Sequence, residues 1–226
     1  LLSMGSQLIL LASNSPRRQQ MLSWTGWNFI IRPVNVDESP RPGENALHYV
    51  LRLAETKARA SANEGVQPGE IVLAADTIVV DGDKLLGKPA NRQAAVEMLA
   101  ELRGNVHKVF SAIAVYLPEH ERLLTDLCVS PVRMREYSDS EIEAYIESGD
   151  PFDKAGGYAI QNQSFRPVVN FTHCFASVMG LPLCHLLRTL RKAGIPPILD
   201  LAAACQEKLQ YTCPVFELIL KGSDPI

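Results

Sequence analysis

The sequence predicts an α/β fold, or the related α+β arrangement, built on a mixed twisted sheet with flanking helices. Short apolar runs rich in β-branched residues alternate with longer segments whose apolar residues recur at helical spacing. The turn Asp81-Gly82-Asp83 leaves too few residues for a crossover helix between its flanking runs, which indicates an antiparallel hairpin in mid-chain. The strands therefore cannot all be parallel, and a mixed sheet follows.

The first half of the chain supports this class element by element. Ser15 is placed to cap a helix, and Pro16 takes the first helical position, where its missing N–H costs little. Tyr49, Val50 and Leu53 have helical spacing after a loop rich in Pro and Gly. In order, we expect a strand at 8–12, a helix from 16 to near 26, a strand at 29–36, a helix at 46–62 and a strand at 71–80.

The second half of the chain contains clearer signals for where helices begin and end. Ser138 and Glu141 make a capping box, and Gly149 ends the helix that they start. Gly194 and Pro196 end a later helix. In order, we expect a helix at 94–102, strands at 109–116 and 123–134, a helix from 139 to 148, a short extended segment at 158–161 and a helix at 184–192.

The length of 226 residues fits one globular domain. We interpret residues 1–7 as an N-terminal extension or a cloning remnant, and residues 8–195 as the domain itself. Residues 196–226 are expected to be a weakly specified C-terminal extension that packs back on the domain.

Composition and net charge limit the classes of partner and the cellular compartment that we expect. The net charge of −3 gives no overall basic character for duplex nucleic acid or an anionic membrane. No apolar run is long enough to span a bilayer, and the first residues lack a signal-peptide layout. The five cysteines are odd in number, irregularly spaced and without a CxxC pair, which favours reduced thiols in a cytoplasmic protein over disulfides or a zinc site.

The stretch LASNSPRR predicts an anion site. Arg17 and Arg18 stand at a helix start, where the helix dipole already places partial positive charge. The small residues Ser13 and Ser15 leave room for a phosphate against free backbone N–H groups. A solvated surface pair of arginines is the alternative.

Other charged residues stand where apolar ones are expected. Asp76 interrupts the run IVLAADTIVV, and a buried carboxylate must be paired, protonated or bound to a metal, unless it meets solvent at a strand end. Lys57 continues the apolar stripe of its helix, where snorkelling is the alternative. Lys88 is fixed on the stiff turn Gly87-Lys88-Pro89, a pattern more often found at the surface. Together these cations could neutralise a polyphosphate, while Asp76 and Glu38 could hold a divalent metal and orient water.

Seven motifs resemble those of the Maf (septum-formation inhibitor) nucleotide pyrophosphatases. They occur in family order, cover residues 8 to about 190 and are highly specific together. The matching stretches are LASNSPRRQQML, VDES, YVLRLAETKA, AADTIVV, LGKP, DKAGGYAIQ and VMGLPL.

This resemblance implies an elongated mixed α/β fold with two lobes around a deep cleft, similar to inosine triphosphate pyrophosphatases. It implies hydrolysis of a nucleoside triphosphate to the monophosphate and pyrophosphate with a divalent cation, Mg²⁺ or Mn²⁺. It also implies a homodimer in the cytoplasm. The family's functional positions match Arg17, Glu38, Lys57, Asp76 and Lys88, with Asp76 as the catalytic proton acceptor.

The resemblance and the residue chemistry together assign expected roles. Whether Asp76 is base, metal ligand or both stays open. We expect phosphate contacts from Ser13, Ser15, Arg17 and Arg18, metal ligation by Glu38 and Asp76, and stabilisation of the leaving pyrophosphate by Lys57 and Lys88.

The substrate branch that the chain resembles is the one acting on dTTP and UTP, because of AADTIVV and Ile160-Gln161. In that branch the positions matching Arg17, Thr77 and Gln161 are linked to base choice. A Gln amide offers a donor and an acceptor to the imide edge of uracil or thymine. Asn162 replaces a glycine common in the family, so the shape of this loop stays open, with CTP or modified pyrimidine nucleotides as alternative substrates.

Two other function classes are alternatives to hydrolysis. A non-catalytic nucleotide-binding regulator of cell division would use the same cationic cleft, and Asp76 discriminates, since turnover needs a carboxylate beside the metal whereas binding needs only the cations. A nucleic-acid-binding module is disfavoured by the net negative charge and by the lack of interleaved basic and aromatic residues.

Overall fold

The computed structural model describes residues 7–224, which contain a six-stranded mixed sheet with helices packed against it. The strands are β1 Leu8–Leu11, β2 Asn28–Ile31, β3 Glu70–Asp81, β4 Lys84–Leu86, β5 Val106–Leu117 and β6 Arg122–Arg133. β1 pairs in parallel with β2 and β3, whereas β4 and β5 pair antiparallel with β3, and β6 pairs antiparallel with β5. The order across the sheet is β2-β1-β3-β5-β6, and the predicted mixed α/β class is confirmed.

The helices divide between the two faces of the sheet. They are α1 Pro16–Ser23, α2 Ala46–Asn63, α3 Arg92–Leu102, α4 Asp139–Glu147, α5 Phe175–Met179, α6 Leu183–Lys192, α7 Leu201–Leu209 and α8 Phe216–Leu220. Ala74 and Ile78 of β3 pack in a cluster with α2, whereas Leu73 and Val79 belong to a larger cluster with side chains of α1, α3, α4 and α6. Successive strand residues point to opposite faces, so Asp76 lies on the face covered by α2.

One edge of β3 is open in the middle. β1 pairs with β3 only as far as Leu73, where the Ala12 N–H donates to the Leu73 carbonyl at 2.8 Å. β4 joins the same edge of β3 at Val79. Residues 74–78 therefore have a neighbouring strand on one side only, and Asp76 lies in this gap. A cleft can open at this edge of β3 without interrupting hydrogen bonds between paired strands.

Several predicted boundaries differ from the structure, among them the start of β5, which is Val106 and not residue 109. β2 ends at Ile31, well short of residue 36, since Pro33 has no N–H to continue a ladder. α1 ends at Ser23 rather than near 26, and Gly26 beyond it has a φ of +77°. Residues 158–161 form no strand: Tyr158 is extended, as predicted, but residues 160 and 161 belong to a turn.

The C-terminal segment has more structure than the sequence predicts. It contains α7 and α8, both of which pack against α6. Residues 1–6 of the predicted N-terminal extension lie outside the described residues. No helix between residues 7 and 224 combines the length and apolar character needed to cross a bilayer.

His107 on β5 is a buried titratable group. Its ring is 1% exposed and its Nε2 lies 2.7 Å from the hydroxyl oxygen of Tyr158. Burial lowers the pKa of His107 to about 4 from 6.5. As the pH falls below 6.5 the unfolded chain takes up a proton that the folded protein refuses until about pH 4, so stability is lost across this interval.

We expect His107→Gln to remove this pH dependence. Between pH 6.5 and 4 the wild type should lose about 3 kcal/mol more unfolding free energy than the variant. Urea unfolding at stepped pH measures the difference. Replacing the exposed His120 by Gln is the control and should keep the wild-type slope. An unchanged slope in His107→Gln would assign the dependence to another group.

Candidate active site

A cleft of about 590 Å³ opens at the gap in β3. The β1–α1 turn, α2, the β3–β4 hairpin, residues 153–161 and the end of α5 bound it. It brings together all the residues that the sequence analysis assigned to a site: Ser13, Ser15, Arg17, Arg18, Glu38, Lys57, Asp76, Thr77, Lys88 and Gln161. Side chains distant in sequence thus converge on one concave surface, as a ligand site requires.

The β1–α1 turn points the start of a helix into the cleft. Ser15 is the N-cap of α1, and its hydroxyl accepts from the Arg18 N–H at 3.5 Å. The Ser13 hydroxyl accepts from the Ser15 N–H at 3.2 Å. The first turn of α1 carries no acidic side chain, so nothing in the helix itself offsets its positive dipole end. This end of the cleft suits an anion.

Lys57 joins two carboxylates at the opposite wall. Its Nζ lies 2.5 Å from Asp76 Oδ1 and 2.6 Å from Glu38 Oε1. Only 11% of the Lys57 side chain and 10% of the Asp76 side chain are exposed, against 58% for Glu38. Lys57 therefore does not snorkel to solvent, and Asp76 does not meet solvent at a strand end. The apolar stripe of α2 delivers the ammonium to the face of β3 that carries the buried carboxylate.

Burial governs the ionisation of Asp76. Loss of water around the carboxylate raises the pKa of Asp76 above its ordinary value, and this outweighs the opposing attraction of Lys57 and Arg18. A carboxylate with a raised pKa holds a proton more readily than a free aspartate. Asp76 is thereby better suited to accept a proton from water than an exposed aspartate would be.

The two adjacent arginines differ in their partners. Arg17 reaches Asp153 at 3.3 Å, and that carboxylate is 61% exposed, so a phosphate can displace it. Arg18 donates to three protein oxygens: Gly180 C=O at 2.8 Å, Thr77 Oγ1 at 3.2 Å and Ser13 Oγ at 3.3 Å. Burial lowers the pKa of Arg18. Arg18 is anchored to the walls of the cleft, whereas Arg17 is available to a ligand.

The remaining predicted residues line the rim and the far wall. Lys88 is exposed just after β4. Gln161 follows the buried segment ending at Ile160. Asn162 does not need a glycine's freedom, because its φ is not positive; its side chain accepts from the N–H groups of Ser164 and Phe165. The loop that carries Gln161 is therefore formed with Asn162 in place.

Several lining or supporting residues escaped the sequence analysis. Tyr49 donates to the Glu38 carbonyl at 2.7 Å and so fixes the loop that carries Glu38. Asp153 and Lys154 begin the motif DKAGGYAIQ, which was a usable signal, and Lys154 is buried against Asp150 and Asp153. Ser111 gave no signal, since a lone serine in a strand is ordinary.

Glu38 and Asp76 are oxygen donors of the kind that Mg²⁺ or Mn²⁺ prefers. Lys57 Nζ contacts Glu38 Oε1 and Asp76 Oδ1, so each carboxylate keeps a second oxygen for an ion. Magnesium is commonly held by one or two carboxylates, with substrate phosphates and water completing its shell. The pair fits such an ion.

A second cluster of metal-ligand residues lies outside the cleft. Asp126, His185 and Asp224 bring ligand atoms within 4.8 Å of one another. Arg188 already donates to both carboxylates, at 2.6 Å to Asp126 and 2.9 Å to Asp224. Arg188 occupies both carboxylate oxygens of Asp126, so this cluster anchors the C-terminal segment to β6 and α6.

Known proteins are similar to this chain over most of its length. A family model described as Maf-like protein matches residues 8–193. A protein of Hahella chejuensis named dTTP/UTP pyrophosphatase is 42% identical over 84% of this chain and 94% of its own length. One of the same name from Thermomicrobium roseum is 42% identical over 83% of this chain and 85% of its own length. A solved Vibrio cholerae protein overlaps 85% of this chain and 100% of its own at a TM-score of 0.39 and 11% identity, too slight a likeness to bear on the fold.

We expect Lys57→Met to raise the pKa of Asp76 further. The variant keeps the apolar stem and removes the ammonium, so burial of the carboxylate is no longer opposed at 2.5 Å. Carboxylate NMR titration of the metal-free protein measures the shift. Lys84→Met removes an exposed pair with Glu101 instead and should leave the Asp76 titration where it is. A lowered or unchanged pKa in Lys57→Met would contradict the pairing.

Proposed function

The chain belongs to the Maf family, and we propose that it is a nucleoside triphosphate pyrophosphatase that hydrolyses dTTP and UTP to the monophosphate and pyrophosphate. The observation that carries the proposal is Asp76, a buried carboxylate that shares one cleft with a helix N-terminus and Arg17. The relatives named dTTP/UTP pyrophosphatase support this substrate pair. CTP and modified pyrimidine nucleotides stay as alternative substrates.

The triphosphate would lie between the start of α1, which carries Arg17, and the opposite wall, which carries Lys57 and Asp76. The N–H groups at the start of α1 and the guanidinium of Arg17 bind phosphate oxygens, and Arg17 exchanges Asp153 for the ligand. Lys88 reaches the chain of phosphates from the rim. These contacts hold the substrate and neutralise charge that grows on the leaving pyrophosphate.

Asp76 would supply the base. Its raised pKa lets it take a proton from the water that attacks the α-phosphorus, while Lys57 keeps the carboxylate ionised beforehand. Glu38 and Asp76 would hold the divalent cation, Mg²⁺ or Mn²⁺, which polarises the phosphate and lowers the pKa of bound water. Lys57 stays beside both carboxylates and limits their mutual repulsion.

Base selection would depend on Thr77 and Gln161. Thr77 and Gln161 are polar groups without charge in the same cleft. Uracil and thymine present an N3–H donor beside carbonyl acceptors, a pattern that a hydroxyl and an amide can match. Because the relatives are named for dTTP and UTP, we expect purine nucleotides to be poor substrates.

The family resemblance supports the proposal that the protein is a cytoplasmic homodimer. The net charge of −3 supports the proposal that it has neither a nucleic-acid nor a membrane partner. Sedimentation velocity tests the dimer, and a gel-shift assay tests nucleic-acid binding.

The test of function is a nucleotide panel assayed for pyrophosphate release with Mg²⁺ or Mn²⁺, run on the wild type and on Asp76→Asn. UTP and dTTP should lead the panel. The variant keeps its size and loses the base, so turnover should fall by about 10²- to 10⁴-fold while nucleotide binding persists. Asp83→Asn, in the exposed hairpin, is the control.

Two results would contradict this proposal. Wild-type turnover in Asp76→Asn would remove the catalytic assignment. Tight nucleotide binding by a wild-type protein that releases no pyrophosphate would favour the non-catalytic regulator.

Arg17→Ala should weaken hydrolysis of every triphosphate to the same degree, because phosphates are common to all of them. The loss of one charge-assisted contact should cost about 1.5–3 kcal/mol in kcat/KM. Arg59→Ala, on the exposed face of α2, is the control. A loss confined to one base would assign Arg17 to base recognition, and no loss at all would remove it from the site.

A further inference from the structure

A directed chain of hydrogen bonds runs from Arg18 through Thr77 and Ser111 to the Ser177 carbonyl. It lies behind the wall of the cleft that carries Thr77. Arg18 Nη2 lies 3.2 Å from Thr77 Oγ1, Thr77 Oγ1 lies 2.9 Å from Ser111 Oγ, and Ser111 Oγ lies 2.6 Å from the Ser177 carbonyl. The two ends of the chain have fixed roles. A guanidinium can only donate, and a backbone carbonyl can only accept.

These fixed ends orient both hydroxyls between them. Ser111 has one proton and gives it to the Ser177 carbonyl, so Ser111 must accept from Thr77. The Thr77 hydroxyl therefore donates its only proton to Ser111 and accepts a hydrogen bond from Arg18. An sp³ hydroxyl oxygen has two lone pairs, so Thr77 has one left. Toward the cleft Thr77 is an acceptor and not a donor.

Surrounding contacts hold this orientation rigidly. Ser111 is fully buried and stands directly opposite Thr77 in the β3–β5 register. Gly180, with a φ of +110°, lets its backbone approach closely: a Cβ there would lie 3.4 Å from both Thr77 Oγ1 and Arg18 Nε. Arg18 is tied to the Gly180 carbonyl. The Thr77 hydroxyl cannot turn its proton toward the cleft without breaking its hydrogen bond to Ser111.

The wall that Thr77 faces suits a flat base better than phosphates. By strand alternation the Thr77 side chain lies on the opposite face of β3 from Asp76 and Lys57. The neighbouring lining on that side includes Val178 and Met179 at the end of α5. Apolar surface beside a single oriented polar group is typical of a specificity pocket.

We propose that Ser111 is a positioning residue for base selection, because it fixes Thr77 as an acceptor that pairs with a ligand N–H and repels a ligand lone pair. Given the proposed function, on which the ligand's identity rests, the N–H is N3–H of uracil or thymine. Cytosine presents an unprotonated N3 at the same position and is rejected. Ser111 does not touch the substrate.

The test compares UTP with CTP in Ser111→Ala. The freed Thr77 hydroxyl can then turn and donate to cytosine N3, so the UTP-to-CTP ratio of kcat/KM should fall by about tenfold. A merely structural defect would lower both substrates alike and leave the ratio unchanged. Ser130→Ala, which removes another fully buried strand hydroxyl outside the cleft, is the matched control and should keep the ratio.

Thr77→Val provides a second arm in case Ser111→Ala fails to fold. Valine removes the acceptor at nearly constant shape, so the ratio should fall, whereas Thr77→Ser should keep it. Thr77→Val combined with Ser111→Ala should show no further fall, since Ser111 acts only through Thr77. Thermal unfolding of each variant verifies the fold.

Binding of the α,β-imido analogues of UTP and CTP separates this proposal from hydrolysis. A wild type that prefers the UTP analogue but releases no pyrophosphate would overturn the proposed function and support base selection by Thr77. No preference between the analogues, or an unchanged ratio in a folded Ser111→Ala or Thr77→Val, would overturn the role of Ser111.

Discussion

The ion pair between Asp76 and Lys57 constrains the rest of the site. A carboxylate in the middle of a buried strand is costly unless a cation is brought to it, and removing one partner would leave an uncompensated charge. Lys57 reaches Asp76 because it continues the apolar stripe with which α2 packs on β3. The rotation of α2 about its axis is thus set by hydrophobic packing and by charge at once. The loop that carries Glu38 follows, since Tyr49 on the same helix holds it.

The cleft exists because β3 changes partners along its length. Its first part pairs in parallel with β1, and the end of a parallel strand leads into a helix whose N-terminus faces the gap. Its last part pairs antiparallel with β4, which returns the chain to the opposite rim and leaves Lys88 there. Ligands bind in open α/β sheets where the strand pattern reverses, for the same geometrical reason. The helix start that faces the cleft and the rim lysine are two consequences of one switch in pairing.

Sequence predicted those parts of the site whose chemistry conflicts with its surroundings. Asp76 and Lys57 stand out because charge interrupts an apolar pattern, and Arg17 because a cation opposes the helix dipole. Glu38 was proposed as a carboxylate that could hold a metal with Asp76, and the family resemblance then matched its position. Ser111 could not be found, since a lone serine in a strand is ordinary and its proposed role also depends on the β3–β5 register. The helices α7 and α8 were missed for a related reason: they are short, and packing on α6 stabilises them more than local propensity does.

Asp76 and Thr77 are adjacent in sequence and serve opposite walls of one cleft. Strand alternation sends the carboxylate toward α2 and the hydroxyl toward α5, so a single strand carries both the proposed base and the proposed selector. A register slip of one residue would exchange the two faces and abolish both roles together. Arg18 links them: it donates to Thr77, and its positive charge also opposes the burial-driven rise in the pKa of Asp76. Arg18 therefore contacts the proposed selector and acts electrostatically on the proposed base.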